Sequence, residues 1–130
     1  METADRQPEP LRVVSVSLGS SRRDHHVETE MLGRRVRIER IGVDGDYHRA
    51  CALIAELDGK VDAIGLGGTD LYLVAGNRRY VVEQSRRLAA SAKVTPVVDG
   101  SGLKNTLERE TIRWLLANGA LQLEGKKALV

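Results

Sequence analysis

The chain has no phenylalanine, one tryptophan and one cysteine among its 130 residues. Without large aromatics the core must be assembled from Val, Leu, Ile and Ala, which favours strands of β-branched residues under Ala/Leu-rich helices. A lone cysteine, Cys51, rules out an internal disulfide. Followed by Ala52, Leu53 and Ile54, it reads as a small buried hydrophobe rather than a nucleophile. An aromatic share of 3% leaves little to stack against single-stranded bases. Charge of one sign is also scarce: 20 basic against 18 acidic side chains leaves +2, too little to track a phosphate backbone. The arginines between Arg22 and Arg40 are interleaved with Asp24, Glu28, Glu30 and Glu39, which describes a mixed, solvated surface. No apolar run approaches the roughly 20 residues of a membrane span. The polar first ten residues, with Pro8 and Pro10, do not form a secretory signal. The expectation is a cytoplasmic protein without nucleic-acid or membrane partners. His25, His26 and His48, with one cysteine elsewhere, supply no zinc ligand set and read as surface residues, so no metal is expected.

What is present fits one hydrophobic core. Residues 1–10 read as a disordered leader, 11–120 as a single α/β domain, and 121–130 as a linker and the opening strand of a further domain. Leu11–Leu18 is a short strand, Gly19–Asp24 a polar loop, and Met31–Val43 a second strand. The alternation of Val36 and Ile38 with Arg35, Arg37 and Glu39 places that strand at a sheet edge. Asp46 caps a helix over Tyr47–Asp58 whose Ala50, Leu53, Ile54 and Leu57 form one stripe, and Gly59 stops it. Val61–Leu66 is a buried strand reached by a right-handed crossover. Leu71–Ala75 and Arg79–Val82 flank Gly76-Asn77, a two-residue type II′ hairpin. A helix over Glu83–Lys93, a buried strand over Val94–Val98 and a long helix over Leu103–Asn118 follow, the last turning Leu107, Thr111, Ile112, Leu115 and Leu116 inward. Lys126–Val130 has the character of a strand beginning. The expected architecture is a three-layer α/β domain with a mostly parallel sheet, crossover helices and one antiparallel hairpin.

Three segments carry possible chemistry, each with a plainer reading beside it. Ser17-Leu18-Gly19-Ser20-Ser21-Arg22-Arg23 combines hydroxyls, a glycine that admits close backbone approach, and charge for a carboxylate or phosphate. It is equally a solvent loop. Gly65-Leu66-Gly67-Gly68-Thr69-Asp70 follows a buried strand, where glycine turns line ligand crevices, with Asp70 the residue to face a ligand. The alternative is a turn needing positive φ. Asp99-Gly100-Ser101-Gly102-Leu103-Lys104-Asn105-Thr106 opens a helix whose amides attract anions. Asp99 and Lys104 could there act as a proton-relay pair beside a hydroxyl substrate, or Ser101 could simply cap the helix. The candidate catalytic residues are Lys104 and Asp99. The candidate substrate-binding residues are Ser17, Ser20, Ser21, Arg22, Asp70, Ser101 and Asn105.

Taken together, Val14–Ser21, Val61–Tyr72 and Thr95–Thr106 resemble the amino-terminal region of bacterial quinate 5-dehydrogenases, relatives of the shikimate dehydrogenases, over about residues 11–130. The resemblance implies a substrate-side domain for a small anionic or polyol substrate. It also implies NAD or NADP bound by a C-terminal nucleotide-binding domain outside this chain. Shikimate dehydrogenases follow their Ser-x-Ser with Pro and a His-Asn pair, whereas Ser15-x-Ser17 is followed here by Leu-Gly-Ser-Ser. Their Asn-Val-Thr-x-Pro-x-Lys segment is matched only by Val94-Thr95-Pro96, and Lys104 lies too far on to be its lysine. The rival expectation is a non-catalytic anionic-ligand-binding or oligomerisation domain, with a homodimer formed through the edge strand and hairpin.

Overall fold

A computed structural model describes residues 9–127 and 129. Most of the expected leader and two residues of the expected terminal strand, 128 and 130, lie outside the described residues; 121–127 form no strand. The domain is mixed α/β, with a mostly parallel five-stranded sheet and a separate two-stranded antiparallel one.

The main sheet has the order β2-β3-β1-β4-β7. β1 (Leu11–Ser17) lies at its centre, parallel to β3 (Arg34–Gly42) and to β4 (Ala63–Gly67), and β4 is parallel in turn to β7 (Val97–Val98). The segment read as one strand, Met31–Val43, belongs to a hairpin instead. β2 (His25–Met31) runs antiparallel to β3 and takes the sheet edge, leaving β3 second from it. The turn is Leu32-Gly33, with φ of 52° and 72°, a type I′ geometry in which leucine occupies a position that favours Asn or Gly. That unorthodox residue and the polar sequence of β2 hide the hairpin from pattern reading. On one face of this edge Arg12 and Arg37 both bond Glu39, at 2.7 and 2.9 Å, and Arg37 also approaches Glu28 at 3.5 Å. Arg12, then burial opposing it, then Arg37 act on the Glu39 carboxyl, and the arginines prevail, lowering its pKa.

α1 (Tyr47–Leu57) starts where Asp46 accepts the Arg49 amide at 2.9 Å, satisfying an orphan donor of the first turn. It buries the anticipated stripe of Ala50, Leu53, Ile54 and Leu57. α2 (Glu83–Ala89) is shorter than expected but places Leu88 in the same core. These side chains pack on Val14, Val16, Ile64 and Leu66, so alternation along the strands puts both helices on one sheet face. Each fully buried Ile or Leu contributes about 1.5–3 kcal/mol. The opposite face carries Val13, Ser15, Ile38, Ala63 and Gly65 in register.

β7 is only two residues long and Val94 is exposed, so the buried strand expected over Val94–Val98 shrinks to an edge stub. Pro96, which lacks a ladder donor, directly precedes it. The loop before β7 is pinned by Asp58, whose carboxylate accepts the amides of Lys93, Val94 and Thr95 at 2.7, 3.1 and 2.8 Å. The second sheet is the anticipated hairpin, β5 (Tyr72–Ala75) with β6 (Arg78–Val81). Gly76 has φ of 62° while Asn77 is not left-handed, as type II′ requires.

After β7 the chain forms a continuous helix over 101–117: α3 (Ser101–Leu103), a π-helical turn at Lys104–Glu108 and α4 (Arg109–Ala117). Its side chains Leu107, Thr111, Ile112 and Leu116 are exposed and Leu115 is only half-buried, so this helix does not pack inward as its periodicity suggests. The pattern is amphipathic, but no partner for it exists within the fold described. No helix among the described residues is long and apolar enough to cross a membrane.

Candidate functional site at the carboxyl edge of the sheet

From β1 the chain turns toward β3, and from β4 it turns toward β7. Connections that leave neighbouring parallel strands in opposite directions open a crevice at the carboxyl edge, the usual ligand position in open α/β sheets. Here the crevice floor is tight. The Leu18 amide donates to the Gly67 carbonyl at 3.0 Å, and a Cβ on Gly68, whose φ is 68°, would stand 3.3 Å from the Gly19 nitrogen. The sequence-derived candidates gather along this edge, in two clusters.

The first is organised by an arginine that the sequence reading passed over. Arg40, at the end of β3, donates to the Ser17 hydroxyl at 3.0 Å, the Ser20 carbonyl at 3.0 Å and Asp24 at 2.9 Å. Ser17 is buried, and its hydroxyl also accepts the Gly19 amide at 3.1 Å. Ser20 accepts the Arg22 amide at 3.2 Å, and the Ser21 amide donates to Asp44 at 2.8 Å. That last bond is the chief reason the Asp44 carboxyl is held below its usual range. Asp24 accepts the Gly42 amide at 2.6 Å as well. Ser17, Ser20 and Ser21 are thus tied into the loop's own bonding, while Arg22 points to solvent. The sequence signal for Arg40 was its place at the end of a strand beside the loop, which alternation alone does not mark as special.

The second cluster joins two of the three segments. Lys104 Nζ donates to Asp70 at 2.7 Å, so the end of the glycine turn and the start of the long helix meet. Asp99 accepts the Leu71 amide at 2.6 Å and a short hydrogen bond from the Ser101 hydroxyl, which in turn accepts the Tyr72 amide at 3.4 Å. Ser101 therefore braces the hairpin base rather than capping its own helix. Lys104 is paired with Asp70, not with the Asp99 named as its relay partner. Asp70 first, by hydrogen bond and by charge, raises the Lys104 pKa and keeps the ammonium protonated. Burial works to raise the Asp99 pKa, but the Leu71 amide and Ser101 outweigh it, and the carboxyl sits below its usual value.

Lys104, Ser101 and Asn105 line a cavity of about 160 Å³ with Tyr72, Leu73 and Val74. That is below the roughly 300–1,000 Å³ of whole-ligand pockets and suits a single polar group such as a carboxylate. Tyr72 was missed by the sequence reading. Its hydroxyl lies 3.6 Å from a Cβ built on Gly102, and the Arg79 guanidinium stacks on its ring at 3.5 Å from the centroid. Only tertiary folding of the hairpin over the helix start brings them here. Among the described residues no three His, Cys, Asp or Glu side chains gather as a metal site.

The fold and this edge define an open-sheet α/β domain with polar loops gathered at the carboxyl ends of its strands. Residues 12–99, from β1 to the end of β7, match a domain of unknown function, DUF8753, and the chain belongs to that family. No curated protein and no solved structure matches it.

Proposed function

We propose that this chain is the substrate-side domain of an NAD(P)-dependent dehydrogenase of the quinate/shikimate kind, without activity of its own. The observation that carries the reading is that the bonded pairs Asp70–Lys104 and Asp99–Ser101 meet near the carboxyl ends of β4 and β7, with Lys104 and Ser101 lining a cavity of carboxylate size. Lys104 would meet the anionic or hydroxyl group of the substrate, and Asn105 and Tyr72 would supply further hydrogen bonds. Arg22, exposed on the neighbouring loop, would hold a second charged group. The glycine turn after β4 lacks the helix start that holds a dinucleotide pyrophosphate, since Gly67-Gly68 is followed by β5. NAD or NADP would belong to a nucleotide-binding domain elsewhere. A three-layer arrangement would arise once an outside element covers the sheet face opposite α1 and α2.

Thermal-shift titration of quinate, shikimate, nucleotides and phosphosugars tests the reading. A true ligand at 100 times its Kd stabilises by about 2.7 kcal/mol, and Lys104→Ala removes that gain. No shift from either cyclic acid overturns it. The alternative, a non-catalytic binding domain, is favoured by one observation: Asp99 is already spent on Leu71 and Ser101. A phosphosugar or nucleotide shift without a quinate shift would select it.

A further inference from the structure

We propose that two copies of this chain associate by laying the 101–117 helix of each across the open sheet face of the other; the inference does not depend on the proposed ligand. Two unpartnered surfaces in one chain motivate it. Among the described residues the sheet's parallel strands carry helices on one face only, although parallel sheets are stable with both faces covered. The uncovered face presents Val13, Ile38 and Ala63, half-buried, and continues into exposed Val27 and Met31 on β2. The helix in turn exposes Leu103, Leu107 and Trp114 along one side, with Leu107 and Trp114 each 63% accessible and lining one shallow groove, while Ile112 and Leu116 lie toward the other side. An apolar helix and an apolar sheet face of this kind normally bury each other.

The anchoring of the helix selects a second copy over closure within one chain. Only Asp99 and Gly100 separate β7 from α3, and Asp99 is pinned to the Leu71 amide. Lys104 is bonded to Asp70, and Ser101 receives the Tyr72 amide. Swinging the helix onto its own open sheet face would break the last two contacts, whereas docking on a second copy keeps them. The exchange is reciprocal, so a two-fold axis closes it without leaving a free surface to propagate. At 1.5 Å per residue the helix is about 25 Å long. Two such helices on two sheet faces bury on the order of 2,000 Å², above the roughly 1,000 Å² expected of a specific interface.

The only tryptophan sits in the proposed interface, so it reports directly. Light scattering of the full chain should give twice 14.3 kDa. Trp114 emission should shift to the blue as protein concentration rises through the dimer Kd. Leu107→Glu, on an exposed helical position that does not support the fold, should raise that Kd by about 100-fold or more, as loss of a central apolar anchor does. In a Cys51→Ala background, Ile38→Cys with Leu107→Cys should oxidise to a covalent dimer. A monomeric wild type at high micromolar concentration, a dimer indifferent to Leu107→Glu, or a disulfide formed within one chain would each overturn the proposal.

Discussion

Replacing Gly42 with alanine tests how the serine loop is seated. A Cβ there would stand 2.6 Å from the carbonyl carbon and oxygen of Ser20 and 2.7 Å from the Ser21 nitrogen, all backbone atoms. Ordinary contact begins near 3.4 Å, so the loop must withdraw by about 0.8 Å (3.4 − 2.6) or more. Gly42 is not left-handed, so the penalty is steric and not conformational. Withdrawal strains the Arg40–Ser20, Ser21–Asp44 and Gly42–Asp24 hydrogen bonds together. Overpacking costs about 1–3 kcal/mol, and one lost hydrogen bond adds about 1 kcal/mol, for a total near 2–4 kcal/mol. At roughly 3–5 °C per kcal/mol for a chain of this size, the Tm should fall by on the order of 10 °C. Urea unfolding followed by circular dichroism measures it, with an unchanged m-value showing that the fold is kept. Gly100→Ala is the steric control, because nothing lies within 4 Å of its Cβ; as the N-cap of α3 it should lose only the capping preference of glycine over alanine, about 1 kcal/mol. A Gly42→Ala protein within about 0.5 kcal/mol of wild type, inside the ordinary surface-substitution range, would refute the close seating of the loop.

Leu32→Asn should raise stability by about 1 kcal/mol, because Leu32 is 99% exposed and held at φ 52°, where leucine is strained and asparagine is not; an unchanged or lowered Tm would count against a type I′ turn. Asp58 has its pKa lowered from 3.8 to about 2 by the amides of Thr95, Lys93 and Val94. Its contribution is complete above pH 3.8 and fades as pH falls toward 2, so Asp58→Asn should destabilise at neutral pH and flatten the acid limb of the stability profile in that window. Lys104→Ala should leave the ligand-free Tm within a degree or two, since its partnership with Asp70 is solvent-exposed; a large drop in calorimetry would make Lys104 a structural residue and withdraw it from the binding site.

Elements built on a strong single period were legible from the residues alone. α1 could be read from its Asp46 cap, its four-residue apolar stripe and Gly59, because cap, face and stop all agree there. The β5–β6 hairpin was legible for the same reason: Gly76 leads a two-residue loop. β2 was not, since every residue of it is exposed and its turn uses a leucine where glycine or asparagine is the signal. The 101–117 helix was found, but periodicity reports only that a face is apolar and not what covers it, so its side chains were placed inward. At the candidate site the sequence located the loops and missed the contacts between them. Arg40 and Tyr72 come from a strand end and a hairpin whose approach depends on register and on the seating of one sheet against the next helix. Lys104 was placed opposite the wrong acid because Asp70 is 34 residues away in the chain.

The π-helical turn at Lys104–Glu108 bears on how this helix can change length over evolutionary time. A wider turn of this kind accommodates one residue more than α geometry, and the helix beyond it keeps the direction it would have had without the extra residue. Loss of a single residue between 104 and 108 would therefore leave an unbroken α-helix, with Leu107 shifted but Ile112 and Trp114 each keeping its present direction. The same loss in α4 would rotate everything after it by about 100°, one residue of a 3.6-residue turn. The segment beside Lys104 is a slack link in the chain, where insertions and deletions can be absorbed while the apolar surface of α4 stays in place.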